Sequence, residues 1–274
     1  MLSGKVIIIT GASSGIGLAS ARLFASRGNK LVMAARRIDL LDSLAAEILA
    51  DPATSPETEI LTVRTDVSVE EDCRQMVEAA LARFGAIDIL INNAGISMRA
   101  LFKDVDMKVL HTLMNVNFWG TVYCTRYALP HILERKGSVV GVISTAGYAG
   151  LPARSGYSAS KFAVRGFLET IRIEHVNDGL HVLVFAPGFT TSNVRIASLT
   201  ADGTPQGASP RDESKMMSAE QVARRMERAI VRRKREVILT FIAHVELFVQ
   251  RHLSRHMDRW SYNYMKREPD SPLK

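Results

Sequence analysis

Short apolar runs alternate with amphipathic stretches along most of the chain. Residues 5–10 read Lys-Val-Ile-Ile-Ile-Thr, a run of strand length with no polar alternation, as expected of a strand covered on both faces. Runs at 30–35, 60–64, 87–91, 139–143 and 182–186 repeat the pattern. Between them apolar residues return at three- and four-residue steps, as in Leu18, Ala19, Ala21, Leu23, Phe24 and Ala25, or Leu40, Leu41, Leu44 and Ile48, and predict helices. Asp39 precedes the second of these with Asp42 following, and is read as its N-cap. Helices are also predicted over 70–84 and 106–129, the latter carrying Asn117 among apolar neighbours, where an asparagine is ordinarily a tolerated helix residue. This alternation predicts an α/β fold, a single doubly wound parallel sheet flanked by helices.

Two stretches break the pattern. Residues 188–217 are rich in Thr, Ser, Pro and Gly, and a loop of that length inside a domain predicts a lid or substrate loop carrying Arg195, Arg211 and Lys215. Beyond residue 240 the pattern becomes that of a basic amphipathic helical extension over 241–274. Ile242, Val245, Val249, Leu253, Met257, Trp260 and Tyr264 lie opposite Glu246, Gln250, Arg251, Ser254, Arg255, Asp258 and Arg259. Packing on its own domain or on a second subunit is the favoured reading of that helix, and peripheral contact with a membrane surface is the alternative.

Composition narrows the picture. With 274 residues and 47% hydrophobic content, the chain suits one large domain over 1–240 plus the tail. No run reaches the roughly 18 uninterrupted apolar residues of a membrane span, and the first residues lack a signal pattern. The expectation is a cytoplasmic protein, with the cytoplasmic membrane face as the one surface the tail could touch. The two cysteines, Cys73 and Cys124, follow no metal or redox spacing and read as buried thiols in a reducing compartment. His252 and His256 are four apart but lack a third ligand, so no metal is expected. The net charge of +7 is concentrated after Arg224, without a nucleic-acid module beside it, so nucleic acid is not expected as a partner.

Candidate chemistry sits where predicted strands end. Strand 5–10 runs into Gly11-Ala-Ser13-Ser14-Gly15-Ile16-Gly17 and then a helix, an arrangement that aims backbone N–H groups and the positive helix end at a phosphate. The next strand ends in Arg36 and Arg37 where an acid would select an unphosphorylated ribose, which favours NADP(H) over NAD(H). Asn92-Asn93-Ala94-Gly95 follows the fourth strand, small and polar where a flat ring would meet the sheet edge. Ser144 ends the 139–143 run. Tyr157 and Lys161, four apart on one helix face, would hold a phenol beside an ammonium. Lowering a tyrosine to neutral pH requires about 4 kcal/mol of preferential phenolate stabilisation, which a neighbouring cation in a desolvated site could largely supply. Taken singly, each piece has a plainer explanation: a tight turn, solvated arginines, the polar face of a surface helix.

Together, Thr10 to Gly17, Asn92 to Gly95, Asn117, Ser144, Tyr157, Lys161 and Pro187-Gly188 stand in an order that resembles the short-chain dehydrogenase/reductase family over roughly residues 3–240. The resemblance implies a Rossmann-type sheet of about seven parallel strands. It implies catalysis by Asn117, Ser144, Tyr157 and Lys161: Ser144 orients a carbonyl, Tyr157 exchanges its proton, Lys161 binds the nicotinamide ribose, and Asn117 supports a proton-relay water. For the cofactor it implies Gly11, Ser13, Ser14, Gly15, Ile16 and Gly17 at the pyrophosphate, Arg36 and Arg37 at a 2′-phosphate, and Asp66 and Val67 at adenine. It further implies Asn93, Ala94 and Gly95 beside the riboses, and Pro187, Gly188, Thr190 and Ser192 at nicotinamide. A narrower likeness, carried by 199–203 and the basic tail, is to the dehydrogenase/reductase member 7B group. It implies NADPH-dependent reduction of a lipid-like ketone, with ketosteroid, 3-oxoacyl thioester or acyl-dihydroxyacetone phosphate as alternatives; a phosphate on the substrate would meet Arg195, Arg211 or Lys215. A homodimer or homotetramer is implied. The competing functions are a non-catalytic dinucleotide sensor, which would have no use for Tyr157, and an epimerase using bound NAD, which fits Arg36 and Arg37 poorly.

Overall fold

The computed structural model describes residues 1–191, 194–209, 216–240, 249 and 254–274. Ser192, Arg211 and Lys215, and most of the apolar stripe predicted from Ile242 to Leu253, lie outside them. Among the described residues seven strands form one sheet: β1 (Val6–Thr10), β2 (Lys30–Ala35), β3 (Glu59–Arg64), β4 (Ile89–Asn92), β5 (Ser138–Val142), β6 (His181–Ala186) and β7 (Glu236–Ile238). Their order is β3-β2-β1-β4-β5-β6-β7, every pair parallel. The chain builds outward from β1 to β3, then returns to the other side of β1 to lay down β4. That reversal opens a crevice at the carboxyl ends of β1 and β4, where a doubly wound sheet binds ligands.

The apolar runs become strands because helices cover the sheet on both faces. On one face α1 (Gly15–Ala25), α2 (Ile38–Ala50) and α7 (Ala219–Val231) bring Phe24, Ile48 and Met226 against Ile7, Ile9 and Met33. On the other, α3 (Glu70–Phe84), α5 (Gly120–Glu134) and α6 (Ser155–Glu174) bring Met76, Ala128 and Leu168 against Ile8, Leu90 and Val139. Successive β1 residues thus feed two separate cores, and each fully buried isoleucine contributes about 2 kcal/mol of apolar burial. Cys73 and Cys124, distant in sequence, meet between α3 and α5 with their sulfurs 3.5 Å apart. The hydrogen bond that Cys124 makes to Cys73, then burial, hold the Cys124 thiol well above its ordinary range, so it is an inert packing group.

Two sequence expectations change. Asp39 is not the N-cap of α2: Arg37 takes that position, in extended conformation, and Asp39 lies in the first turn. The helix predicted over 106–129 is three segments, α4 (Met107–Leu113), a π-helical stretch Met114–Trp119, and α5, which continues past Pro130 to Glu134. At the tail, helix α8 (Ser254–Lys266) and the residues that follow it pack on the domain through Met265, Glu268 and Ser271, which are 3%, 6% and 6% exposed. No helix among the described residues is long and apolar enough to cross a membrane.

The turn after β1 is sterically tight. Gly11 has φ of 65°, and a Cβ at Gly17 would stand 2.3 Å from the Gly11 carbonyl oxygen and 2.7 Å from Asn93 Nδ2. Gly17→Ala is therefore expected to cost about 1–3 kcal/mol, read as a lowered denaturation midpoint with unchanged m-value. An unshifted midpoint would show that the turn relaxes freely.

Candidate active site

Four strand ends meet at the crevice. Thr10, the last residue of β1, ties two of them: its hydroxyl accepts from the backbone N–H of Asn93 and of Ala94, both at 3.0 Å, and donates to the Ile91 carbonyl at 3.3 Å. The Asn93 amide donates back to the Thr10 carbonyl at 2.9 Å. Asn93 is thus a brace between the glycine turn and the loop after β4. Ser14 begins α1 without capping it through its hydroxyl, so the first-turn N–H groups at Gly15, Ile16 and Gly17 have no side-chain cap, while Ser13 lies partly buried in the same turn. Those free donors, and glycines that admit close backbone approach, fit a pyrophosphate.

Arg36 and Arg37 follow β2 at the same sheet edge, both exposed, with no ion pair among the described residues. Two solvated guanidiniums at that edge fit a 2′-phosphate. Asp66 and Val67 follow β3. Val67 is buried, while the Asp66 carboxylate accepts from the Ser68 backbone at 3.0 Å and hydroxyl at 2.7 Å, so it shapes its own turn. Pro187 is buried at the end of β6, and Thr190 donates to the Gly188 carbonyl at 3.1 Å.

The catalytic candidates converge on the mouths of β4 and β5. Ser144 follows β5, accepts from the Ala146 backbone N–H at 3.2 Å, and has its hydroxyl on the Tyr157 side, where it draws the phenol's pKa down. Lys161, one turn after Tyr157 on α6, is 5% exposed and donates to the Val142 carbonyl at 3.0 Å. Asn117 is 1% exposed, accepts from the Ile96 backbone N–H at 2.9 Å, and donates to the Ile96 carbonyl and the Ser160 hydroxyl at 3.0 and 2.9 Å. A Cβ at Gly95 would lie 3.1 Å from Asn117 Oδ1 and 3.4 Å from Lys161 Nζ, which puts both groups against the same face of that glycine. The π-helical stretch is the local device. One extra residue in the turn lets Asn117 face the loop after β4, a role its apolar neighbours did not suggest.

The electrostatics differ from the sequence expectation. Lys161 does not lower Tyr157: its ammonium lies 5.9 Å from the ring centre and points at a carbonyl. Burial raises the Tyr157 hydroxyl above its ordinary value, against smaller downward pulls from the Ser144 hydroxyl and from Arg154. Burial likewise brings Lys161 down from 10.5 to about 8. A buried ammonium with a depressed pKa weakens the fold below about pH 8, and the loss is recovered as pH rises from about 8 to 10.5, where the unfolded chain holds a proton that the folded one has released. Lys161→Met is expected to stabilise the protein at pH 7 by about 2 kcal/mol, the desolvation relief less one hydrogen bond, with the gain vanishing near pH 10.5. Urea denaturation of both forms at the two pH values checks this, and a variant less stable than wild type at pH 7 would contradict it.

Sequence reasoning missed several participants. Thr10 was legible only as part of the glycine motif. Ser160, which donates to the Tyr157 carbonyl at 2.8 Å, and Arg154, buried at the N-cap of α6, carry no sequence signal of their own. Arg195 is not a free cation on a lid: it is 9% exposed, with Nη2 donating to the Thr190 carbonyl at 2.9 Å and Nε to Ser209 Oγ at 3.2 Å.

Known proteins resemble this chain in sequence and in fold. The family model described as short chain dehydrogenase matches residues 5–202. The 11-beta-hydroxysteroid dehydrogenase-like 4A of Arabidopsis thaliana is 42% identical over 191 residues, which is 68% of this chain and 61% of the plant protein's own length. Dehydrogenase/reductase SDR family member 7B of Mus musculus is 34% identical over 251 residues, 91% of this chain and 77% of the mouse protein. Among solved structures, a short-chain dehydrogenase from Streptomyces avermitilis superposes with a TM-score of 0.77 at 27% identity, covering 97% of this chain and 98% of that one. An alcohol dehydrogenase from Thermococcus sibiricus, complexed with 5-hydroxy-NADP, gives 0.71 at 25% identity over 86% and 96%. With the family model matching residues 5–202 and relatives at 42% and 34% identity over 68% and 91% of the sequence, the chain belongs to the short-chain dehydrogenase family.

Proposed function

We infer that this protein is an NADPH-dependent reductase of a bulky apolar ketone, with Tyr157 as the proton donor. The observation that carries the reading is the convergence at the carboxyl edge of the sheet of Tyr157, the buried Lys161 ammonium 5.9 Å from its ring centre, and Asn117 Oδ1, which with Lys161 Nζ meets the same face of Gly95. The uncapped turn from Gly11 to Gly17 would hold the pyrophosphate, Arg36 and Arg37 the 2′-phosphate, and Lys161 the nicotinamide ribose. NADPH, when bound, supplies the hydride.

The chain's own groups handle the oxygen and its proton. Ser144 and Tyr157 together offer two hydroxyl donors to one carbonyl oxygen. Burial keeps the Tyr157 proton on at neutral pH, which suits a group that must give it up only as an alkoxide forms. Lys161, still largely cationic at pH 7 and held by the Val142 carbonyl, would keep its ammonium for the nicotinamide ribose, while Ser144 and Arg154 ease the charge on the phenolate that remains. Asn117 holds the Gly95–Ile96 backbone in place by its paired hydrogen bonds. The substrate side is apolar: Tyr157 packs with Met98, Val109, Leu113 and Leu199. That wall, and the steroid in the plant relative's name, favour a ketosteroid or another extended lipid-like ketone over a phosphorylated one, since Arg195 is committed to its own loop.

The test is oxidation of NADPH, and separately NADH, against ketosteroids, 3-oxoacyl thioesters and acyl-dihydroxyacetone phosphate. Turnover with a ketosteroid and NADPH supports the reading. Turnover with NADH alone, or with none of these ketones, removes it.

A further inference from the structure

We propose that Glu268 is a positioning residue that clamps the C-terminal segment onto the two loops flanking Tyr157 and thereby shapes the substrate side of the site. Arg99 Nε and Arg154 Nη2 converge on the same carboxylate oxygen, Glu268 Oε2, at 3.5 and 3.3 Å. The three side chains are only 8%, 11% and 5% exposed. They come from three distant parts of the chain. Arg99 lies in the stretch after Gly95, and its backbone N–H donates to the Leu199 carbonyl of the substrate loop at 2.8 Å. Arg154 is the N-cap of α6, one turn before Tyr157. Glu268 follows α8.

Charge explains why the clamp matters. Two buried guanidiniums without an anion would be expensive, and removing the one partner of a buried pair costs far more than the pair gains. Arg99 Nε makes no hydrogen bond among the described residues, so the Glu268 carboxylate is its nearest compensation. Other contacts set the segment in place: Arg99 also donates to the Pro269 carbonyl, and Ser271 Oγ donates to the Met265 carbonyl at 2.9 Å. The two arginine-bearing loops are joined by Ala100 N–H donating to the Ala153 carbonyl at 3.0 Å. One loop carries Met98, which packs with Tyr157 and Leu199 in the apolar wall. The other carries the cation whose field reaches Tyr157. Glu268 therefore holds, from outside the crevice, both the wall that a ketone body would touch and a cation that acts on its proton donor.

The kinetic consequence rests on the reductase reading, while the structural consequence does not. The full-length chain and its Glu268→Gln and Glu268→Asp variants are compared by amide exchange over 96–101, 151–156 and 265–271, by NADPH affinity, and by kcat and KM for a ketosteroid and for a small cyclic ketone. In Glu268→Gln exchange accelerates in all three segments, NADPH affinity stays within about twofold, and KM for the ketosteroid rises about tenfold while the small ketone changes little. Glu268→Asp, which keeps the charge, recovers part of the loss and serves if the Gln variant folds poorly. Unchanged exchange in the two flanking loops overturns the clamp, as does accelerated exchange with unaltered ketosteroid KM. If the wild type reduces no ketone yet exchange responds in all three segments, the reductase reading falls and the clamp stands.

Discussion

Replacing Tyr157 by Phe is expected to lower NADPH-dependent ketone reduction by about a thousandfold while changing NADPH affinity by less than about threefold. The substitution removes one oxygen from a ring that stays packed against Met98 and Leu199, so the fold and the apolar wall persist. Two things are lost with it: the proton that must reach the alkoxide, and one of two donors aimed at the carbonyl oxygen. General acid catalysis and a single oxyanion donor are each worth about a hundredfold or more, and they act in the same step. Stopped-flow or steady-state oxidation of NADPH, with binding measured by its fluorescence, separates the terms. A variant retaining a tenth of the activity would move the proton donor elsewhere. The pH profile gives an independent check. Because burial holds the Tyr157 proton more tightly than usual, reduction stays fast through neutral pH and falls only as the solution becomes strongly alkaline. The reverse reaction needs the phenolate and rises over the same range.

The distribution of what could be read from the sequence follows the range of the interactions. The strands announce themselves because a buried parallel strand is apolar at consecutive positions, and Ile7, Ile8 and Ile9 feed cores on opposite faces. The glycine turn is legible because close backbone packing leaves no substitute for Gly17. Tyr157 and Lys161 are legible as a pair because one helix turn relates them. The meaning of that pair was not. Whether an ammonium acts on a phenol depends on where each points, and Lys161 turns to the Val142 carbonyl, a partner set by the β5–α6 packing. Asn117 looked ordinary because its justification is the Ile96 backbone, in another element. The same holds for Cys73 with Cys124 and for Glu268 with Arg154, whose partners lie 51 and 114 positions away. Periodicity encodes which face of an element is covered and carries no information about which distant group covers it.

Substituting aspartate at both Arg36 and Arg37 is expected to reduce the preference for NADPH over NADH by about a thousandfold, equivalent to about 4 kcal/mol. Each guanidinium offered to a 2′-phosphate makes a charge-assisted contact of about 1.5–3 kcal/mol, and the carboxylates that replace them repel the phosphate while accepting a hydrogen bond from a free 2′-hydroxyl. The local fold gives this prediction a built-in control. Arg37 is the N-cap of α2 and makes no side-chain cap, and both arginines are exposed without ion pairs among the described residues. Aspartate is among the best N-cap residues, and its charge complements the helix dipole, so Arg37→Asp should strengthen α2 by about 1 kcal/mol. Selectivity and stability therefore move in opposite directions. Dissociation constants for both dinucleotides, measured beside the thermal midpoint, read the two effects together. A raised midpoint with the NADPH preference intact would show that the 2′-phosphate is recognised away from this sheet edge, whereas a lowered midpoint would show that Arg37 supports α2 through its side chain.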